Sequence, residues 1–199
     1  MESALSATEA ELGLVSLDEF AEFAQRRRGR GRCELIEGEI RTMAPASPFH
    51  GEVTHELARR IGNHVAEHGL GRCYTAETGF RLPDPDDPAA PPTVRAPDLS
   101  LLSPADAKRA RGEAFGTTPP RLAVETLSPS DRVGEASKKI RWWLTRGVEE
   151  VWSVDPAGRT ITVHTRSGGV RLFQGDEAAS SPEVLPGFEV SLADVFGDA

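Results

Sequence analysis

The amino-acid sequence predicts an α/β (α+β) fold, with a mixed central β-sheet flanked by helices. Two segments with helical periodicity, about 50–68 and 132–146, alternate with short segments whose apolar residues are typical of strands. The chain has 199 residues, and ~100–200 residues is the usual size of one domain. We therefore expect a single domain at 15–199, preceded by a flexible tail at 1–14.

The N-terminal third predicts a short helix, a hairpin and a long helix. Ser16 followed by Glu19 forms the pattern of a capping box, which marks the start of a helix. Glu37-Gly38 is typical of the turn of a hairpin within 34–40. The long helix ends at Gly69 and is predicted by four apolar residues at helical spacing. These are Val53, Leu57, Ile61 and Val65.

The remainder of the chain predicts short strands on either side of a second long helix. Alternation over 73–82 indicates a half-exposed strand, whereas the Pro- and Asp-rich segment 83–97 is expected to be a loop. The elements expected after that loop are strands at 98–102 and 121–127, a helix at about 132–146 ending at Gly147, an apolar segment at 148–154, and a hairpin containing the pairs Ile161/Val163 and Val170/Leu172.

Composition excludes several classes of protein. The 23 basic and 31 acidic residues give a net charge of −8, which argues against a protein that coats nucleic acid indiscriminately but is compatible with a local basic groove. No apolar run approaches the ~18 residues needed to span a bilayer. Two cysteines make neither a disulfide framework nor a zinc quartet, and the acidic N-terminus does not have the pattern of a secretory signal. We expect a cytoplasmic protein of bacterial type without membrane contact.

Glu125 is the first candidate for chemistry because it interrupts an apolar strand. Alternation places Glu125 on one face with Ala123, and Leu122 with Val124 on the other, so both faces of the strand are expected to be buried. A buried ionised carboxylate is costly unless a cation or strong donors compensate it. Glu125 is therefore either half of an internal salt bridge to an arginine or a metal-binding or catalytic carboxylate.

Asp98 and Lys139 are two further candidates. Pro97 cannot donate to a sheet ladder, so Asp98 is expected at the start of a strand, where sites of α/β proteins tend to lie. On a helical wheel Lys139 lies at the flank of the apolar arc, whereas Lys138 lies opposite that arc and is expected in solvent. Each has a plainer interpretation: a Pro-Asp strand start, and a lysine whose stem merely packs on the core.

Together the two carboxylates and the lysine indicate a nuclease centre. Carboxylates on neighbouring strands suit Mg²⁺ or Mn²⁺, which prefer a few oxygen ligands and several waters. Such a metal activates water and offsets charge on a scissile phosphate, and an adjacent lysine orients the water and neutralises the phosphate. The sequence therefore predicts Asp98 and Glu125 as metal ligands and Lys139 as a catalytic cation.

A series of motifs, in order from about residue 33 to 165, resembles the Uma-two family of endonucleases. The motifs are Glu34-Leu35-Ile36-Glu37-Gly38-Glu39, Met43-Ala44-Pro45 with Ser47 and His50, Ala96-Pro97-Asp98-Leu99, Pro120 to Val124, Glu125-Thr126-Leu127-Ser128-Pro129-Ser130, Lys139, Gly147-Val148-Glu149-Glu150-Val151-Trp152 and Val154-Asp155-Pro156. As an ordered series they are specific.

That family resembles the PD-(D/E)XK restriction-endonuclease-like superfamily, which implies an α/β core and metal-dependent cleavage of phosphodiester bonds, with DNA as the substrate. The superfamily motif corresponds to Pro97-Asp98 and Glu125, but Leu127 stands where many members carry lysine, so the resemblance moves that role to Lys139. A homodimer is also implied. Glu34, Glu39 and His50 match family positions as supporting residues: either glutamate is a candidate third carboxylate, or both are solvated acids of a hairpin, and His50 either touches the site or is a structural histidine.

Two other functions remain open on the sequence. The run His64 to His68 fits the H-x-x-E-H pattern, so a zinc hydrolase would use His64, Glu67 and His68. A catalytically inactive member of the same fold would bind DNA or a partner protein, with the basic segments Arg26–Arg32 and Lys108–Arg111 as candidate phosphate contacts or as ordinary solvated loops.

Overall fold

Residues 13–27, 31–128 and 133–197 are described by the structure, a computed structural model, and contain five helices and twelve strands. The helices are α1 (Leu17–Arg26), α2 (Pro48–Glu67), α3 (Pro104–Arg109), α4 (Val133–Thr145) and α5 (Leu192–Phe196). The strands are β1 (Cys33–Ile36), β2 (Glu39–Thr42), β3 (Arg72–Thr75), β4 (Phe80–Arg81), β5 (Val94–Arg95), β6 (Leu99–Leu102), β7 (Leu122–Thr126), β8 (Glu150–Asp155), β9 (Thr160–Thr165), β10 (Val170–Phe173), β11 (Ala178–Ser181) and β12 (Leu185–Ser191).

A six-stranded mixed sheet lies at the centre, in the order β10-β9-β8-β7-β6-β3. β7 and β8 pair in parallel, and the other neighbours are antiparallel. Long helix α2 covers one face of this sheet and packs against Leu122 and Val124 of β7. Helix α4 covers the other face, where Trp143 packs with Ala123. Both faces of β7 are therefore buried, as its sequence predicts, and the mixed sheet flanked by helices is confirmed.

A second sheet, in the order β2-β1-β5-β4, stands beside the central one and contains the predicted hairpin. Glu37 (φ 51°) and Gly38 (φ 80°) both occupy the left-handed region, as a two-residue turn of this kind requires. β1 pairs with β5, with Leu35 opposite Val94, so this hairpin lies against the segment that leads into β6. A third sheet consists of β11 and β12.

Several sequence predictions are confirmed in detail. The Ser16 hydroxyl accepts a hydrogen bond from the Glu19 N–H, and the Glu19 carboxylate accepts from the Ser16 N–H, which together form the capping box at the start of α1. Helices α2 and α4 lie close to the predicted spans, with Gly69 (φ 64°) and Gly147 (φ 99°) just beyond their ends. Residues 1–12 of the predicted tail, 28–30 of the basic segment and 129–132 lie outside the described residues.

The prediction of one strand over 73–82 is wrong. This segment forms β3, in the central sheet, and β4, in the second sheet, with a turn between them. A side chain at Gly79 would place its Cβ 2.8 Å from the Val94 side chain, so glycine lets the chain pass close to β5 at this change of sheet. Alternation continues across the break, which is why the sequence suggests a single strand.

Short elements escaped prediction elsewhere. The expected loop 83–97 contains β5, and the polar connection between the predicted strands at 98–102 and 121–127 contains α3. Two or six residues are too few to show strand or helix periodicity. Strands β11 and β12 and helix α5, the last elements of the chain, were not predicted either, and they pack next to α2. None of the described helices combines the length and apolar character needed to cross a bilayer.

Candidate active site

Glu125 is buried near the carboxyl end of β7, on the face that α4 covers. Its side chain is directed toward two residues of that helix, one turn apart. The Lys139 ammonium lies 2.8 Å from Glu125 Oε2, and the indole N–H of Trp143 donates a 2.7 Å hydrogen bond to Oε1. The buried charge is thus compensated by a lysine, not by the arginine that the plainer interpretation supposed.

Lys139 reaches inward from the flank of α4, as its position on the helical wheel predicts. Its ammonium contacts a second carboxylate, because Glu34 Oε1 on β1 lies 3.4 Å away. The neighbouring Lys138 lies in solvent and pairs with Glu135 on its own helix. Lys139 therefore links the central sheet to the hairpin of the second sheet.

Asp98 lies directly before β6 and is also buried. The backbone N–H of Thr126 donates to Asp98 Oδ2 at 2.8 Å, which ties Asp98 to the residue after Glu125. Arg32 holds the other oxygen, Oδ1, at 2.6 Å and also donates to the Ala96 carbonyl at 2.9 Å. The orientation of Asp98 is therefore set from both sides by charge-assisted hydrogen bonds.

His50 and Glu34 border the same cluster. The Nε2–H of His50 donates to the Thr126 carbonyl at 2.9 Å, and that nitrogen lies 3.9 Å from Asp98 Oδ2. Glu34 accepts a 3.0 Å hydrogen bond from the Ala96 N–H, and Arg95 lies 3.4 Å from its second oxygen. Both residues therefore lie where the sequence analysis suggested, although their roles there stay predictions.

Electrostatics couple these groups. Burial raises the pKa of the Glu125 carboxyl to about 7, against the pull of the Lys139 charge; the negative charges of Asp98 and Glu34 raise it further. Burial by itself lowers the pKa of Lys139, but Glu125, Glu34 and Asp98 together raise it above the ordinary value. Lys139 is consequently protonated at neutral pH, whereas the charge of Glu125 changes near it.

The donor set of this cluster fits a small, hard cation. Asp98 and Glu125 supply carboxylate oxygens, each oxygen has a second lone pair beyond its present hydrogen bond, and Mg²⁺ commonly takes only one or two carboxylates together with waters. The pKa of Glu125 is raised first by burial and then by the negative charges of Asp98 and Glu34, and a bound cation would favour the ionised carboxylate against all three. Among the described residues, no group of three or more His, Cys, Asp or Glu side chains is placed to hold a metal ion by itself.

Glu39 is not brought into this cluster. Its carboxylate is 62% exposed and pairs with Arg41, next to the hairpin turn. Glu39 lies opposite Ile36, and Ile36 is two residues nearer the turn than Glu34. Glu39 and Glu34 are therefore on the same face of the hairpin, but Glu39 is closer to the turn. Of the two candidate third carboxylates, Glu34 is thus the one that lies beside Lys139.

The histidines of the H-x-x-E-H pattern are engaged elsewhere. The His64 and His68 rings stack at 4.1 Å between centroids, and the His64 ring also contacts Phe188. His64 Nε2 lies 3.1 Å from the Pro186 carbonyl, and His68 Nδ1 lies 3.0 Å from the His64 carbonyl. The two rings thus pack against each other and against Phe188 at the end of α2, and among the described residues no group of three or more potential metal ligands includes them.

Sequence reasoning missed the roles of Arg32, Arg95 and Trp143. Arg32 and Asp98 are 66 residues apart in the sequence, and no local pattern predicts such a contact. Trp143 belongs to the apolar arc of α4, and its indole N–H requires a partner when buried. Its spacing of four residues from Lys139 indicates a shared helix face, which could have identified it as a neighbour of Glu125.

Comparisons with known proteins bear on the family and the fold of the chain. The family model described as "Uma2: Putative restriction endonuclease" matches residues 17–193, which include every candidate residue above. A crystal structure described as "a putative nuclease belonging to DUF820 from Anabaena variabilis ATCC 29413" superposes with a TM-score of 0.70 at 21% sequence identity, over 84% of this chain and 90% of that chain. That likeness supports a shared restriction-endonuclease-like fold. No curated protein matches the chain.

Proposed function

Because the chain belongs to the Uma2 family, we propose that it is a metal-dependent endonuclease that hydrolyses phosphodiester bonds in DNA. One observation carries the proposal: the Lys139 ammonium lies between Glu125 and Glu34, and the carboxylate of Asp98, which Arg32 orients, is close enough to affect the pKa of both Lys139 and Glu125. Acidic groups for a metal and one cation for a phosphate are the parts that phosphodiester hydrolysis needs. DNA, a divalent ion and a second copy of the chain are the partners that we propose with it.

Asp98 and Glu125 are the residues that would hold Mg²⁺ or Mn²⁺, which supplies positive charge at the scissile phosphate and acidifies a bound water. Lys139 stays protonated because of its carboxylate neighbours, so it can donate hydrogen bonds to the attacking water or to a phosphate oxygen. Arg32 and the Thr126 N–H keep Asp98 in place without rearrangement during the reaction. Trp143 does the same for Glu125.

Cleavage of defined DNA and RNA substrates with Mg²⁺, Mn²⁺ or EDTA tests this function. We expect cutting of DNA that requires the divalent ion and falls by about a hundredfold or more in Asp98→Asn and in Lys139→Met. Lys138→Met is the matched control, since Lys138 carries the same charge one residue away and points into solvent. Equal cutting by Lys139→Met and Lys138→Met would contradict the assignment of Lys139.

Metal binding separates the nuclease from the inactive alternative. Calorimetric titration with Mn²⁺ is expected to show a site that Asp98→Asn weakens, independently of any cleavage. Binding of DNA without cleavage by the wild type, under every metal condition, would favour the DNA-binding module of the same fold. Cutting of RNA in preference to DNA would keep the chemistry and change the substrate.

A further inference from the structure

A groove of about 500 Å³ lies beside the candidate active site, at the carboxyl ends of β7 and β8. Its walls come from the first turn of α2 and from α4, and its floor from β8 and β9. The groove and the active-site cluster share His50, which lines the groove and hydrogen-bonds beside Asp98. A substrate bound at Asp98 and Glu125 would therefore extend directly into this groove.

The residues that line the groove are partly apolar and partly polar. Phe49 and Ile140 supply apolar surface, and Phe49 is 40% exposed, although most large apolar side chains of the described residues are covered. Ser153, Thr162 and His164 supply polar groups from the floor. Burial lowers the pKa of His164, so its ring is neutral at neutral pH and offers one donor and one acceptor.

The polar side chains of the floor have hydrogen-bonding capacity that the described residues do not use. No hydrogen bond joins the side chains of Ser153, Thr162 or His164 to another residue of the described ranges, although Ser153 is only 8% exposed. The Ser153 hydroxyl oxygen is open to the groove rather than sealed from it, so it can hydrogen-bond a ligand that binds there. Among the described lining residues there is neither Lys nor Arg, and Asp155 adds a carboxylate, so these residues favour an uncharged group over a phosphate.

We propose that this groove receives one nucleobase, unstacked from the substrate next to the scissile phosphate. A base is planar, uncharged and rimmed with hydrogen-bond donors and acceptors, which matches an aromatic and aliphatic wall above an unpaired polar floor. This inference rests on the proposed function and narrows its substrate: the enzyme prefers DNA with an unpaired nucleotide at the cleavage position over a continuous duplex. Phe49 is the stacking residue, and Ser153 and Thr162 contact the edge of the base.

Equilibrium binding in EDTA tests the inference without requiring cleavage. Fluorescence anisotropy compares three labelled DNAs: a paired duplex, the same duplex with one bulged nucleotide, and the same bulge with an abasic residue. We expect the bulged base to bind about fivefold or more tightly than the abasic bulge, because stacking on an aromatic side chain contributes on that scale. Phe49→Ala should remove this difference, whereas Phe49→Tyr should keep it.

A matched control is Leu172→Ala, which removes another exposed apolar side chain, from β10, outside the groove. It should leave all three affinities unchanged. Equal binding of the base-bearing and abasic bulges by the wild type would overturn the base pocket and leave the nuclease proposal standing. The same holds if Phe49→Ala weakens both bulges equally. Failure to bind any of the DNAs, both in EDTA and with Mn²⁺ present, would overturn the proposed function and this inference with it.

Discussion

Two glutamates, Glu125 on β7 and Glu150 on β8, are buried on neighbouring strands of the central sheet, yet their surroundings differ. They are 6% and 4% exposed, and each accepts a hydrogen bond from a tryptophan indole, at 2.7 Å from Trp143 and 2.6 Å from Trp152. Burial raises the pKa of both carboxyls. By these measures alone, either residue would qualify as a functional carboxylate.

The difference lies in charge and in position along the strands. Glu125 faces Lys139, whereas none of the ion pairs found in the described part of the chain involves Glu150, and its charged neighbours Glu149 and Glu183 raise its pKa further. In the parallel pair Glu150 lies opposite Leu122 at the start of the strands, and Glu125 lies near their carboxyl ends. Burial of a carboxylate therefore does not by itself separate the proposed site residue Glu125 from Glu150; the facing lysine and the position at the carboxyl ends of the strands do.

The largest expected effect of this difference is on catalysis. Glu125→Gln should lower the rate of DNA cleavage by about a thousandfold or more, because the amide keeps the shape but loses the charge that holds a metal. Glu150→Gln should leave the rate within about twofold, as expected for a residue remote from the reacting atoms. Single-turnover cleavage measures both. Similar losses in the two variants would show that burial, not charge arrangement, matters.

The next effect is on stability. Lys139→Met leaves Glu125 buried without its cation, which should lower the free energy of unfolding by about 3 kcal/mol or more at pH 8. Lys138→Met should leave it nearly unchanged, because that ion pair is exposed. Urea unfolding gives both values. Adding Glu125→Gln to Lys139→Met should recover much of the loss; a double variant as unstable as Lys139→Met would contradict this account.

Local patterns predicted those parts of the site that depend on one element. Strand alternation placed Glu125 on the face of Ala123, and the helical wheel placed Lys139 at the inner flank of α4. Pro97 predicted the start of the strand directly before which Asp98 lies. Periodicity specifies which way a side chain points from its own element, and for Glu125 and Lys139 that was enough.

Patterns could not predict which distant residues meet. Glu34 and Glu39 share one face of the hairpin, and only the pairing of β1 with β5 decides that Glu34 lies beside Ala96 and Lys139. The Arg32–Asp98 pair likewise depends on how the second sheet stands against the first. Such contacts come from tertiary packing, which leaves no periodic pattern in a single sequence.

The pH dependence of the free energy of unfolding distinguishes Glu125 from Glu150 less strongly, because burial raises the pKa of both carboxyls. The folded-state pKa of Glu125 is raised to about 7, from 4.5, so between these values the folded protein holds a proton that the unfolded chain has lost. The stability associated with this proton is full below about pH 4.5 and is lost as the pH rises through 7, a change of up to about 3 kcal/mol. In EDTA, Glu125→Gln should flatten this decline between pH 5 and 8. An unchanged slope would contradict the raised pKa.

The smallest effect concerns the two tryptophans. Trp143→Phe and Trp152→Phe each remove an indole donor from a buried carboxylate, and each should lower the free energy of unfolding by about 1–2 kcal/mol. Trp143→Phe alone should also move the pH profile of cleavage upward, because Glu125 loses a hydrogen bond that favours its charged form. Trp152→Phe should leave that profile in place, since Glu150 takes no part in the reaction. A shift of equal size in both variants would mean that the profile reports global stability, and Trp143 would then have no positioning role at Glu125.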